Sequence, residues 1–258
     1  MHDSGEVVKQ KAMGILECNK VSKNFGGLAA VSNVDLSIET GKIVGLIGPN
    51  GAGKTTLFNL ISGALPCKTG TILFKGKPIC GLKSYQICRY GLSRTFQSAK
   101  VFSNMSVMNN VRLASLFGKS PFISSADADK VVKECLEFTG LSVLKDLPAK
   151  DLSIVNQKRL EVARALATRP DLLMIDEMMA GLNNTEVDQA MDLIRKIQAK
   201  GITILIIEHV MKAIMNVCNR IVVLHHGEKI AEGTPQEIAN NHTVIEVYLG
   251  EGGYAQVK

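Results

Sequence analysis

Tryptophan is absent from the 258-residue chain and aromatic residues make up only 5% of it, which leaves little stacking equipment for single-stranded nucleic acid. No apolar run approaches the ~18 residues of a bilayer-spanning helix, and residues 1–14 are polar and lack a signal-peptide core. A spanning segment is therefore not expected, and the chain is expected to be made and to stay in the cytoplasm. The cysteines at 18, 67, 80, 88, 135 and 218 contain no C-x-x-C pair and no metal-ligand spacing. They read as reduced, mostly buried thiols and argue against a zinc site. Lys and Arg exceed Asp and Glu by 30 to 24, a net charge of +6, yet no basic tract of the kind that binds nucleic acid or an anionic leaflet is present. The surplus reads as a solvated surface, with a modest pull toward a cytoplasmic membrane face. His225-His226 has no other ligand candidate near it in sequence and reads as a turn after a strand. Long heptad arrays and internal repeats are also missing, which excludes a coiled coil and a tandem duplication.

What is present is a 46% hydrophobic composition, enough for one substantial core and a second lobe. Gly48-Pro49-Asn50-Gly51-Ala52-Gly53-Lys54-Thr55 satisfies G-x-x-x-x-G-K-[ST] and directly follows the apolar run Ile43–Ile47. Its glycines let successive backbone N–H groups turn inward on phosphates, Lys54 can reach the β and γ groups, and Thr55 can offer its hydroxyl to magnesium. A helix starting here, through Thr56 to Ile61, adds its positive end. Far downstream, Leu172-Leu173-Met174-Ile175-Asp176-Glu177 is a buried-strand pattern ending in two carboxylates. That arrangement suits Asp176 as a magnesium holder, acting through water, and Glu177 as the group that orients and deprotonates an attacking water. Alone, the same pattern would also describe a solvated acidic turn.

Period and punctuation supply the layout. Residues 15–39 and 71–78 alternate apolar and polar residues around turn signals, as antiparallel strands do. Ile43–Ile47, Leu172–Ile175, Thr203–Ile207 and Ile221–Leu224 are apolar strands separated by helical segments, which predicts an α/β fold with a parallel core sheet. Between 97 and 153 helical periodicity dominates, as in Val107–Phe117 and Ala126–Thr139, with a break near 118–125.

Further residues carry a resemblance. Leu152 to Leu166 opens a helix with Ser153 as its N-cap; Phe25 follows Val21-Ser22-Lys23-Asn24; Gln97 ends Arg94-Thr95-Phe96-Gln97; Ala180-Gly181-Leu182-Asn183 follows the carboxylates; His209 ends Thr203–Glu208. In order and spacing, from about Ile15 to Gly250, these landmarks resemble the ATP-binding cassette (ABC) ATPases, which are P-loop NTPases. Residues 21–28, 91–97 and 244–250 look like the ATPase subunits of high-affinity branched-chain amino acid importers, with urea-type importers as near relatives.

The resemblance implies an α/β cassette over 15–250 with a parallel core sheet, an antiparallel β subdomain and a helical signature lobe at about 98–165, flanked by tails at 1–14 and 251–258. It implies ATP and Mg2+ as cofactors. Gly48, Pro49, Asn50, Gly51, Ala52, Gly53, Lys54, Thr55 and Thr56 would bind the nucleotide, Phe25 would stack on adenine, and Ser153 would contact phosphate held by a second subunit. Thr55, Gln97 and Asp176 would hold the metal, with Glu177, His209, Lys54 and Gln97 catalytic; Phe25 could equally be a core aromatic. Implied partners are membrane permease subunits, contacted through Gln97 and the loop 98–105, a second cassette of the same or a sister kind and, indirectly, a solute-binding protein. No nucleic acid is expected, and the implied location is the cytoplasmic membrane face.

The chain also departs from the family pattern. Val155 stands where the family has glycine and Asn156 where it has glutamine; Met178 replaces a proline and Val210 an aspartate. A β-branched residue with a strained backbone at Val155 costs about 1–3 kcal/mol, so closure over ATP is expected to weaken from this side. Two other readings stay open: a nucleotide-binding regulatory cassette with little ATPase of its own, and a soluble, non-transport ABC protein acting on nucleic acid or ribosomes.

Overall fold

Two sheets of different character divide the polypeptide. The computed structural model describes residues 14–95, 100–119 and 124–250; the expected tails, apart from Gly14, lie outside them. Strands β1 (Leu16–Phe25) and β2 (Leu28–Ile38) form a hairpin, with β3 (Ile43–Ile47), helix α1 (Lys54–Ile61), β4 (Thr69–Phe74) and β5 (Lys77–Pro78) following. An antiparallel sheet of order β2-β1-β4-β5 results. The chain continues through α2 (Ser84–Tyr90), β6 (Leu92–Arg94), α3 (Val107–Ser115), α4 (Ser125–Thr139) and α5 (Ile154–Ala167). Then come β7 (Leu172–Asp176), α6 (Asn184–Ala199), β8 (Thr203–Ile207), α7 (Met211–Val217), β9 (Arg220–His225), β10 (Glu228–Gly233), α8 (Pro235–Ala239) and α9 (His242–Gly250).

The second sheet has the order β10-β9-β3-β8-β7-β6. Its strands are parallel except for β10, which runs antiparallel to β9 at the edge. The expected parallel core is thus present, with an antiparallel edge that the apolar pattern did not announce. Every residue of β3, β7 and β8 is buried, as strands covered on both faces must be. Their side chains alternate between two cores. Ile43, Ile47, Leu173, Ile175, Ile204 and Ile206 pack toward α3–α7, whereas Val44, Leu46, Leu172, Met174, Leu205 and Ile207 pack toward α1 and the antiparallel sheet. Because these strands are parallel, the segments leaving β3, β7 and β8 all emerge at one sheet edge.

Helices α3 and α4 occupy the region where helical periodicity dominates and α5 follows it, each starting on a serine whose hydroxyl accepts a first-turn N–H: Ser106, Ser124 and Ser153. Of the cysteines, Cys18, Cys135 and Cys218 are buried and Cys67, Cys80 and Cys88 half-buried, all as free thiols; burial is therefore less general than expected. No helix among the described residues is long and apolar enough to cross a membrane.

Candidate nucleotide site

The phosphate loop is wedged between backbone segments. Gly48, at φ 149°, would place a Cβ 2.1 Å from the Leu224 carbonyl oxygen at the end of β9, and Gly53, at φ 99°, would place one 2.3 Å from the Ala30 carbonyl oxygen of β2. Only glycine fits either position. Gly51, at φ 80°, would meet nothing within 4 Å and faces open space. The turn after β9 clamps the loop: the Gly227 N–H donates to the Ala52 carbonyl at 3.1 Å, and the Gly227 carbonyl accepts the Ser32 N–H at 2.8 Å.

Helix α1 starts on Gly53 with no side-chain cap and no acidic residue in its first turn. Its leading N–H groups and positive dipole end are therefore presented to an anion. Lys54, buried, turns its ammonium back onto the Gly48 and Pro49 carbonyl oxygens, at 2.7 and 2.8 Å. Thr55 is exposed and Thr56 half-buried. An anionic phosphate chain fits this cradle, and the hydroxyl and carboxylate oxygens of Thr55 and Asp176 are the hard donors that magnesium prefers.

Asp176 is the last residue of β7 and 2% exposed. Its backbone N–H donates to the Thr95 hydroxyl at 3.1 Å, and its Oδ2 accepts from Arg94 Nη2 at 2.7 Å. Glu177 follows at φ 49°, a left-handed conformation rare for a residue with a side chain. Its N–H donates to the Ile207 carbonyl at 2.9 Å, and its Oε1 lies 2.9 Å from His209 Nε2. The kink turns the carboxylate out of the strand, in the manner of strain stored at functional sites.

A third carboxylate sits beside them. Glu208, 2% exposed, accepts the Met179 N–H at 2.7 Å. Burial pushes its carboxyl up to about 7, against the opposing pull of the Met179 and His209 N–H groups and of Lys158. Lys158 on α5 donates to the Ala180 carbonyl at 2.5 Å, and burial lowers its ammonium below the usual lysine range. The loop after Glu177 is thus pinned from both sides.

Other expected residues lie apart. Phe25 closes β1 at the hairpin tip, 48% exposed, with the Lys23 ammonium 5.3 Å from its ring centroid; it is not a core aromatic. Gln97 lies outside the described residues, as do residues 98 and 99 of the expected coupling loop. Ser153 is exposed and its hydroxyl accepts the Asn156 N–H at 3.4 Å. With Val155, Asn156 and Arg159 it lines an open cleft of about 690 Å³ against the start of α6, and no phosphate-loop residue lines that cleft. Val155 is not among the residues with positive φ and sits in the first turn of α5. The expected backbone strain is therefore absent, because the helix start gives the residue ordinary geometry; the departure consists of side-chain bulk alone.

Sequence reasoning passed over Arg94, Glu208 and Lys158 as working residues. For Arg94 and Glu208 the signal was a charge at or just past the end of a buried strand, as in Leu92-Ser93-Arg94 and Ile206-Ile207-Glu208; Lys158, in the polar stretch Asn156-Gln157-Lys158-Arg159 of α5, carried no such signal.

Residues 31–180 match the family model described as "ABC transporter", and residues 228–254 match that described as "Branched-chain amino acid ATP-binding cassette transporter". The chain belongs to the ABC transporter family. This cassette is 41% identical over 250 residues to the high-affinity branched-chain amino acid transport ATP-binding protein LivG of Escherichia coli, covering 92% of the chain and 98% of the relative. It is 40% identical, with the same coverage, to the protein of that description named BraF of Pseudomonas aeruginosa. Among solved structures, the ADP conformation of MJ1267, an ATP-binding cassette of an ABC transporter, superposes with a TM-score of 0.82 at 32% identity, covering 92% of this chain and 99% of that one. The two-sheet architecture and the helices beside it are those of this family.

Proposed function

We propose that the cassette binds ATP with magnesium at the edge where β3, β7 and β8 end, and that its hydrolysis powers a membrane importer of branched-chain amino acids or a related small polar solute. The observation that carries the reading is Glu177, kinked out of β7 beside the buried Asp176 and tied to His209, at the sheet edge from which the uncapped phosphate-loop helix starts. Relatives described as branched-chain amino acid transport ATP-binding proteins, matched over nearly their whole length, support the solute class.

The division of labour follows from the contacts. Lys54 leaves the Gly48 and Pro49 carbonyls for the phosphates, whose negative charge outcompetes neutral acceptors. The α1 N–H groups and Lys54 stabilise charge on the transferring phosphoryl group. Glu177, its orientation fixed by His209 and by Ile207, accepts a proton from the attacking water. His209, exposed beside it, donates to the terminal phosphate. Thr55, Asp176 and Gln97 hold the magnesium, which when bound neutralises phosphate charge. Phe25 stacks on the base.

That no phosphate-loop residue lines the cleft at Ser153 supports Ser153 working on nucleotide held by a second cassette, with a dimer as the active form. The bulk of Val155 favours a sister subunit with an intact signature as the partner, with permease subunits recruiting the pair to the cytoplasmic membrane face. A cassette with little ATPase of its own is the second reading, and it too rests on Val155. The deciding experiment is steady-state ATP hydrolysis by the purified chain, with Glu177→Gln as the blank, together with co-purification from membranes. Turnover above the blank and recovery of integral membrane permeases support the proposal; absence of both, or recovery of nucleic acid instead, overturns it.

A further inference from the structure

Arg94 ties together three elements of the site. One arm, Nη2, donates to Asp176 Oδ2 on β7 at 2.7 Å; the other, Nη1, donates to Asn59 Oδ1 at 2.5 Å and Ser62 Oγ at 3.3 Å, both toward the C-terminal end of α1. The guanidinium also lies 5.5 Å from the Phe58 ring centroid. The ion pair is secluded, with side chains 9% and 3% exposed, and among the described residues it is the salt bridge that Asp176 makes. Resting on the nucleotide-site reading above, we propose that Arg94 is a built-in counter-cation for the metal-binding carboxylate, and that it makes metal binding conditional on nucleotide.

A buried carboxylate left unpaired is strongly destabilising. In a site awaiting substrate, it would be neutralised either by a proton or by whatever cation the solvent offers. Free Mg2+ is the obvious candidate, since hard oxygen donors attract it. Arg94 removes the vacancy. Its charge sits within hydrogen-bonding distance of the carboxylate, so a divalent ion arriving alone meets a positive group as well as a negative one, and the two compete at short range. An ion arriving with a polyphosphate brings its own excess of negative charge, and the repulsion from Arg94 is offset. The anchors on Asn59 and Ser62 keep the guanidinium from swinging away, which gives the pair a fixed geometry.

The test is thermal unfolding without nucleotide, in EDTA and in 10 mM Mg2+, ionic strength being matched with NaCl. Wild type is expected to show the same midpoint in both. Arg94→Met is expected to unfold roughly 6–20 °C lower in EDTA, the loss typical of breaking one side of a buried pair, and to recover much of that loss in Mg2+. Arg94→Lys, which keeps the charge, is expected to remain insensitive to free Mg2+. The double variant Arg94→Met/Asp176→Asn, with neither charge, is expected to regain stability and lose the metal response, which keeps the inference testable should the single variant fold poorly. A wild type already stabilised by free Mg2+, or a Met variant indifferent to it, overturns the inference. Wild-type ATP binding and turnover, measured in parallel, stand or fall separately: their loss would sink the nucleotide-site reading, whereas an unaltered metal response would sink the role of Arg94 alone.

Discussion

Glu177 sits where few residues with a side chain sit, at φ 49°, and backbone and side-chain contacts, to Ile207 and His209 among others, hold it there. Glu177→Gln keeps the shape and removes the proposed base, so turnover is expected to fall by about 10²–10⁴-fold with nucleotide affinity retained; a titration with a fluorescent ATP analogue beside the turnover assay separates the two. Phe25→Ala is expected to raise KM for ATP by about 5–150-fold, the equivalent of ~1–3 kcal/mol of base stacking, with kcat unchanged; a fall in kcat at constant KM would assign the ring another role. Glu208 gives a pH prediction. Its folded carboxyl, pushed up to about 7, holds its proton more tightly than the unfolded chain does at the ordinary 4.5. The stability it contributes is therefore whole below about pH 4.5 and is lost as pH rises through about 7. Against Glu208→Gln, wild type is expected to lose on the order of 3 kcal/mol between those limits, read from denaturant midpoints at pH 5 and pH 8. Parallel curves for the two proteins would refute it. The positions of Lys54 at the start of α1 and of Asp176 and Glu177 at the end of β7 were legible in the sequence because a phosphate loop and a strand end fix which residues must follow one another. Arg94 and Glu208 were not, since their roles depend on partners 82 and 29 positions away.

At the scale of elements, legibility follows length and burial. β3, β7 and β8 are each five residues, wholly buried, and their apolar runs could be read directly. The three residues of β6 and the seven of α2 carry too short a pattern; their neighbours, rather than their own periodicity, hold them in shape. Helices α3 and α4 lie within a turn of their expected bounds because Ser106 and Ser124 mark their starts. Helix α5 carries the prediction that belongs to this scale. Its first turn is regular, so Val155→Gly removes bulk without relieving strain at that residue. If the extra side chain costs ~1–3 kcal/mol when a second cassette closes on the cleft, as overpacking does, the Gly variant is expected to dimerise on ATP about 5–150-fold more tightly in the Glu177→Gln background. Sedimentation measures this, and an unchanged dimerisation constant would clear Val155 of responsibility.

At the scale of the molecule, two sheets and a set of helices meet around one loop, and a ligand bound there is felt throughout. At 100 times its dissociation constant, Mg·ATP is expected to stabilise the fold by about 2.7 kcal/mol and to raise the unfolding midpoint by roughly 5–11 °C; no shift under conditions of demonstrated binding would mean that the unfolded chain binds as well. The parallel sheet was foreseen from its runs, but the carbonyls that crowd its phosphate loop were not, since backbone leaves no mark in a side-chain pattern. Gly48 is held against Leu224 of β9, within the same sheet, and Gly53 against Ala30 of β2 in the antiparallel sheet. Their retention is enforced by architecture independently of nucleotide. On the proposed roles, a descendant of this chain that lost hydrolysis would drift first at Thr55, Glu177 and His209 and keep both glycines, so in such lineages a surviving glycine frame would record ancestry, and only the side chains around it whether the engine still runs.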